Sequence, residues 1–430
     1  MSVPHLVTAL SGPILDLERK ILAAQPEIEH WFRNQWQELT PPFYGSVDLR
    51  NAGYKLAPVD MNLFPGGFNN LNPDFHPLAV QAAMGALENL CPSARRLLLV
   101  PENHTRNTFY LQNVAALVRI LRQAGLAVRL GSLNPDIIEP TTLDLPDGQK
   151  LVLEPLERHG DRLTLPGFDP CVVLLNNDLS GGIPSILQNL EQQVLPPLRA
   201  GWSTRRKTNH FAAYDHVAGD FARLIGIDPW VINPYFDHVD GLDFHQRDGE
   251  DRLAASVDAM LARIRRKYAE HGIDHEPFVI VKANAGTYGM GVMSVKSADE
   301  VRGLNRKQRN KMSVVKEGLE VHDVIVQEGV PTFEHIDDAV AEPVVYMLDR
   351  FVIGGFYRVH TGRGPEENLN APGMHFAPLA FATPCTTPDC DGAPDSEPNR
   401  FYAYGVVARL ALLAAAHELE PATQEVALAV

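Results

Sequence analysis

The stretch Phe278-Val-Ile-Val-Lys282-Ala-Asn-Ala-Gly286-Thr-Tyr-Gly289-Met-Gly291-Val-Met-Ser-Val295 constrains this chain more than any other. A β-branched run ends in a lysine, a glycine-rich turn follows, and a second β-branched run leaves it. Glycines let backbone N–H groups approach anionic oxygens closely, and a lysine supplies a point charge for phosphates. A Walker A loop needs Gly-Lys-Ser/Thr and a following helix, which are absent. A dinucleotide fingerprint reads Gly-x-Gly-x-x-Gly and opens a helix; here the order is reversed and a strand follows. A strand–glycine loop–strand hairpin covering a triphosphate fits better. An ordinary glycine-rich hairpin is the plainer reading, made less attractive by the lysine at the strand end.

The rest of the chain is long enough to support such a site. Its 430 residues, 45% of them hydrophobic, predict a sizeable core in two or three lobes. A formal net charge of −15 argues against nucleic acid and anionic membranes as partners. The basic stretches Arg205–Lys207, Arg263–Lys267 and Arg302–Lys311 are not interleaved with aromatics in a nucleic-acid pattern. The apolar run Val406–Ala416 contains Arg409 and is shorter than the roughly 20 residues of a membrane span. The N-terminus lacks the pattern of a secretory signal, so a cytoplasmic protein is expected. Among four cysteines, Cys385 and Cys390 lie in a Thr/Pro/Asp loop without the pairing of a zinc site and read as ordinary thiols.

Along the chain, residues 4–38 read as helical and residues 43–76, rich in Gly, Pro and Asn, as an ordered irregular loop. Leu97–Pro101, a helix with an apolar face from Tyr110 to Leu121, and Leu126–Leu130 form a β–α–β unit; Cys171–Leu175 adds a strand, with a helix expected from Pro184. This pattern predicts a parallel sheet with ligand loops at Glu102–Asn107 and Asn176–Gly182. From about residue 200 the pattern becomes α+β. Helices are expected over Phe211–Leu224 and Arg252–His271, with strands at Phe278–Lys282, Gly291–Val295, Val324–Gln327, Pro343–Leu348 and Arg350–Arg358. The tail from Tyr402 is helical. The expected division is 1–200 and 201–430.

Two more segments carry chemistry. Val324-Ile-Val-Gln327-Glu328-Gly329-Val330 is a strand ending in a carboxylate and a glycine, suited to a hinge beneath a purine and ribose, though a buried strand ending at a turn reads the same way. Glu342, then Phe356-Tyr-Arg358, then Glu366-Glu367-Asn368-Leu369-Asn370 offers hard oxygen ligands for magnesium beside an arginine able to stabilise a transferring phosphoryl group. A solvated acidic loop is the alternative for the last run.

The order of lysine strand, glycine loop, Glu-bearing hinge and Arg/Glu/Asn set resembles the ATP-grasp superfamily. More closely, Val281-Lys282-Ala-Asn-Ala-Gly-Thr-Tyr-Gly-Met-Gly291, Asn62-Leu-Phe-Pro-Gly-Gly-Phe-Asn-Asn70 and Glu367-Asn-Leu-Asn-Ala-Pro-Gly-Met374 resemble a proteobacterial family of glutamate–cysteine ligases. The resemblance covers most of the chain. It implies an ATP-grasp fold preceded by an α/β lobe with a largely parallel sheet, ATP with Mg2+ or Mn2+ as cofactors, and glutamate and cysteine as substrates. A homo-oligomer is left open. By position, Lys282 contacts the ATP phosphates, and Gly286, Thr287, Gly289 and Gly291 form the phosphate lid. Lys207 is the earlier ATP lysine, unless it belongs to a solvated basic turn. Gln327 and Glu328 lie at the nucleotide hinge, Glu342, Glu367 and Asn370 hold metal, and Arg358 stabilises the phosphoryl group. For the acceptor carboxylate, Arg50, Asn62, Asn69, Asn70 and Arg106 are the candidates, against simple packing of a polar loop. A ligase with another substrate pair and a non-catalytic ATP-binding protein are the rival readings; Lys282, Arg358, Glu367 and Asn370 occurring together argue against the second.

Overall fold

A computed structural model describes residues 6–7, 12–286, 291–314, 318, 320–379 and 400–420. The expected β–α–β unit is present in a six-stranded sheet. Its order is Gln193–Leu195, Val172–Asn176, Arg96–Pro101, Ala127–Ser132, Lys150–Pro155 and Thr141–Asp144. All pairings are parallel except the last. Strand Val172–Asn176 is buried throughout, as a strand covered on both faces must be. Helices His76–Leu90 and Thr108–Gln123 supply apolar cover, and Asn107 caps the second by accepting from Tyr110 N at 3.1 Å. The helix expected from Pro184 does not form. A short turn over Ser185–Leu187 is cut off at Asn189, whose φ of 52° is left-handed, and the chain continues as the edge strand Gln193–Leu195.

Residues 43–76 are more regular than their composition implies. Tyr44–Asn51 and Leu56–Asn62 form an antiparallel hairpin. Gly53, at φ 80°, lies in its turn, and Pro58 lies beside the register shift between Asp48 and Leu49, where a ladder tolerates proline. This hairpin does not join the parallel sheet. Tyr44–Asn51 pairs with Ala339–Leu348 in a seven-stranded antiparallel sheet that also contains Phe351–His360 and His375–Pro378. The sheets therefore do not follow the expected division at residue 200. N-terminal strands complete a sheet made mainly by the C-terminal half.

The N-terminal helix is likewise two helices, Pro13–Ala23 and Gln25–Glu38, broken at Ala24 where Pro26 enters the next first turn. Helix Arg400–Glu418 packs in the core with Val47, Leu49, Tyr357 and Val359. It is apolar on all sides because it is buried, and its Arg409 is paired with Glu29 at 2.7 and 2.9 Å. Among the described residues, no helix is long and apolar enough to cross a membrane.

The third sheet is small and wholly antiparallel, in the order Phe236–Val239, Val324–Glu328, Val279–Ala283, Val292–Val295. One face, with Val279, Val281, Val324 and Val326, packs on helix Glu250–His271 through Leu253, Val257, Leu261 and Ile264. Strand alternation turns Ile280, Lys282 and Gln327 to the other face.

The hairpin tip ties this small sheet to the large one. Tyr54 stacks on Trp230 with ring centroids 6.1 Å apart, and its hydroxyl is 2.7 Å from that of Tyr268. Lys55 Nζ lies 2.8 Å from Glu328 Oε2, with both side chains 1% exposed.

Candidate active site

Register places a row of charge on one face of the seven-stranded sheet. Arg358 pairs with Glu342, Val344 with both Phe356 and Asp48, Asp48 with Asp60, and Ser46 with Asn62. At one end this face is apolar, and Tyr44, Val344, Tyr346 and Phe356 pack against the first lobe. At the other end it carries Asp48, Arg50, Asp60, Glu342 and Arg358.

Four of these charges, Asp48, Arg358, Glu342 and Arg50, form a connected chain. Arg358 Nη1 donates to Asp48 Oδ2 at 2.8 Å and to Glu342 Oε1 at 2.5 Å. Arg50 Nε donates to the other oxygen of Glu342 at 2.9 Å. Burial works against ionised Glu342, but Arg50 and Arg358 outweigh it and lower its pKa. Arg50 also donates to the carbonyls of Val330, Pro365 and Glu367 at 3.3, 2.9 and 2.6 Å. With these partners its guanidinium is committed to holding the loop after Phe351–His360, and it is a structural cation rather than the expected substrate anchor. Glu342, at 3% exposure between two guanidiniums, is equally committed, which displaces it from the expected metal set. Arg358 keeps one unpartnered buried donor, Nε.

The two expected ATP lysines meet at the same face. Lys207 Nζ lies 2.9 and 3.2 Å from the oxygens of Asp60, and Lys282 Nζ donates to Val59 O at 2.6 Å. Lys207 is thus buried in an ion pair and not in a solvated turn. Burial pulls Lys282 down to about 8, against the pull of Asp60 and with Lys207 reinforcing the fall. Asn284, which sequence reasoning left unassigned, fixes both lysine-bearing elements together. Its carbonyl accepts from Lys207 N at 2.8 Å and its side-chain oxygen from Thr208 N at 2.9 Å, capping helix Lys207–Ile225 from outside.

The glycine loop spans the hairpin that starts at Lys282, with Gly286 at φ 96° and Gly291 at φ 60°, both left-handed. Thr287 and Gly289 lie outside the described residues. Beside the hairpin, a cavity of ≈ 770 Å³ is lined by Ile280 and Ser294 of the small sheet, by Lys311, and by Arg363, Glu367 and Asn370 opposite. Its size falls within the range of small-ligand sites. Glu367 is half-exposed, accepting from Arg363 at 2.6 Å and from Gly364 N at 2.7 Å; Asn368 Oδ1 is taken by Asn370 N at 2.9 Å. Glu367 and Asn370 therefore offer hard oxygens at the cavity wall and fit a divalent ion. Another metal-like group, Asp228, Glu270 and His271, has the Lys267 ammonium 2.8 Å from both carboxylates.

Glu328 does not face a ribose. Its oxygens accept from Lys55, from the Trp230 indole at 3.0 and 3.2 Å, and from Tyr235 N at 2.9 Å, all out of solvent. Its neighbour Gln327 pairs with Ile280, a cavity-lining residue, and has a buried Nε2 without a partner. Asn62 staples its own turn through Phe64 N at 2.9 Å. Asn69 Oδ1 and Asn70 Nδ2 are buried and unpartnered. They follow Gly67, where φ is 120° and a Cβ would come within 2.9 Å of Tyr346 Oη and 3.3 Å of Asn70 Nδ2. Arg106 is exposed on its loop and bonded to none of these groups.

The family profile of GshA, glutamate–cysteine ligase, matches residues 18–419. The chain belongs to this family. A solved structure from Methylobacillus flagellatus KT, assigned as a gamma-glutamylcysteine synthetase, is 72% identical with a TM-score of 0.90. It covers 97% of this chain and 99% of its own. A glutathione synthetase-like effector from Globodera pallida (85% of this chain, 80% of its own) and D-alanyl-alanine synthetase A from Vibrio cholerae (74% and 81%) are each 11% identical with a TM-score of 0.36, too remote to bear on the chemistry. No curated protein matches the chain. As a member of an ATP-dependent ligase family, the chain uses ATP and a divalent metal.

Two outcomes follow from these contacts. Glu328→Gln leaves Lys55 as an unpaired buried charge and should cost about 3–5 kcal/mol in urea unfolding, with ATP affinity little changed. If Glu328 instead held the ribose, ATP affinity would fall and stability would not. The lowered Lys282 loses its proton as pH rises through about 8, so ATP affinity should weaken roughly tenfold between pH 7 and 9. Calorimetric titration checks this, with Lys282→Arg, charged throughout, showing no such decline.

Proposed function

We propose that this chain joins the γ-carboxylate of glutamate to the amine of cysteine, through an acyl phosphate made from ATP, giving γ-glutamylcysteine, ADP and phosphate. The observation that carries the residue assignment is the meeting of Lys207, Lys282 and Arg358 on one sheet face beneath a glycine-looped hairpin. Family membership supports the substrate pair.

In this reading the fold is of ATP-grasp type, with the small sheet as lid and the seven-stranded sheet as floor. The nucleotide occupies the cavity beside Ile280 and Ser294, with Gln327 Nε2 as a donor near its base. Lys207 and Lys282 hold the phosphates, with Gly286 and Gly291 in the hairpin beside them. Arg358, oriented by Asp48 and Glu342, directs its free Nε at the transferring phosphoryl group, where preorganised charge lowers the barrier. A magnesium ion, or manganese in its place, held by Glu367 and Asn370, supplies charge neutralisation on the phosphates. Asn69 and Asn70, with their unpartnered amide atoms, receive the amino-acid head group of glutamate. The acyl phosphate hydrolyses in water, so the reaction needs solvent kept from the cleft.

Phosphate release with ATP, magnesium and glutamate alone, cysteine alone, then both, with product masses recorded, tests the reaction. Release requiring both, with the mass of γ-glutamylcysteine, is expected. Release with another pair would keep the ligase and change its substrates. Lys282→Met should reduce turnover by about 100-fold or more, and wild-type kinetics in that variant would remove Lys282 from the site.

A further inference from the structure

The reaction proposed above brings the cations of the cleft to the substrates and gives two of its carboxylates, Asp48 and Asp60, no substrate contact. Asp48 and Asp60 stand directly opposite each other on neighbouring antiparallel strands. Like charges so placed destabilise a sheet. Each is braced from its outer side, Asp60 by Lys207 at 2.9 and 3.2 Å and Asp48 by Arg358 at 2.8 and 3.4 Å. Both remain open to the cleft: the Asp60 side chain is 39% exposed and that of Asp48 23%, against 3% for Glu342. Two carboxylates thus face the space between the groups that hold the phosphoryl oxygens. The incoming amine has the complementary need. It arrives as an ammonium and cannot attack until it loses a proton.

Resting on the ligase reading, we infer that Asp48 and Asp60 receive the ammonium of the attacking amino acid and that Asp48 is the general base that deprotonates it. One proton passes from nitrogen to the Asp48 carboxylate. The freed lone pair attacks the acyl-phosphate carbon, the C–N bond forms, and the C–O bond to the phosphate breaks with its electron pair leaving on phosphate. The second nitrogen proton departs with the phosphate, one stays on the amide, and Asp48 returns its own to solvent.

The surroundings divide the two roles. For Asp60, burial would raise the pKa, but Lys207, Lys282 and Arg205 bring it well below the ordinary carboxylate range, so it stays an ionised anchor. For Asp48, burial raises it, Arg358 pulls back, and Glu342 and Asp60 push it up again, while Lys282 also faces it. Two neighbouring carboxylates driven apart in this way separate an anchor from a base.

Hydroxylamine tests the inference, because it is already uncharged at neutral pH and needs no base to become a nucleophile. Full-length wild type and Asp48→Asn are supplied with ATP, magnesium, glutamate and either cysteine or hydroxylamine. Asp48→Asn should lose about 100-fold or more of cysteine-dependent kcat and less than about tenfold of hydroxamate formation. Equal losses with both nucleophiles, in a variant that unfolds at the wild-type temperature, would reduce Asp48 to a brace for Arg358 and overturn the inference. If Asp48→Asn does not fold, Asp60→Asn decides: KM for cysteine should rise about tenfold with KM for hydroxylamine unchanged, and equal changes overturn it. Wild type inactive with both nucleophiles would instead overturn the ligase reading itself.

Discussion

Glu342 is the carboxylate on which the rest of the cleft depends. It sits in the middle of the seven-stranded sheet with a guanidinium on each oxygen, Arg358 on one and Arg50 on the other. Burying such ions costs several kcal/mol each unless every partner is in place. The arrangement is therefore tolerated only as a complete set. Arg358 reaches onward to Asp48, and Arg50 to three carbonyls around the loop that presents Glu367. The positions of Arg358, of Asp48 and of the loop that presents Glu367 are thus set by one buried carboxylate.

The hairpin Tyr44–Asn51/Leu56–Asn62 links this floor to the small sheet above it. Its strands carry Asp48, Arg50 and Asp60, and its tip sends Lys55 into the pocket closed by Glu328, Trp230 and Tyr235. The fully buried Lys55–Glu328 pair lies at the end of strand Val324–Glu328, where the small sheet joins the rest of the molecule. The hairpin that defines the floor therefore also fixes the root of the small sheet. Asn284 does the same at the other end, tying the start of the glycine loop to the helix that carries Lys207.

Much of this was legible before the structure. The glycine hairpin, the β–α–β unit and the long helices follow from local periodicity, and Lys207, Lys282 and Arg358 do come together. What failed did so for a common reason. Residues 43–76 looked irregular because Gly45, Gly53 and Pro58 dominate the composition, yet Val47-Asp48-Leu49-Arg50 alternates as a half-buried strand does. That alternation was the available signal for Asp48 and Arg50, since charges at every second position of a strand must face water, a ligand or each other. One partner of that strand lies nearly 300 residues away (Val344 opposite Asp48), and no local pattern announces such a pairing. Glu328, Glu342 and Arg50 read as ligand residues in the sequence because nothing local to them signals a buried partner. Only the three-dimensional arrangement shows that other buried groups already occupy them.

The groups left over after those internal pairings define what the cleft can still accept. Arg358 Nε, Gln327 Nε2, Asn70 Nδ2 and Asn69 Oδ1 are buried and unpartnered. A buried donor or acceptor without a partner costs about 1–3 kcal/mol, so each of these atoms gains from a ligand atom that reaches it. Three of the four are donors, suited to phosphate, carboxylate and purine acceptors. Asp48 and Asp60, open on their cleft sides, supply the opposite character within the same row. A cleft with that inventory matches a reaction that brings together a nucleotide, a carboxylate and an ammonium. The proposed amine gives a use to the two carboxylates that stand beside Lys207 and Arg358.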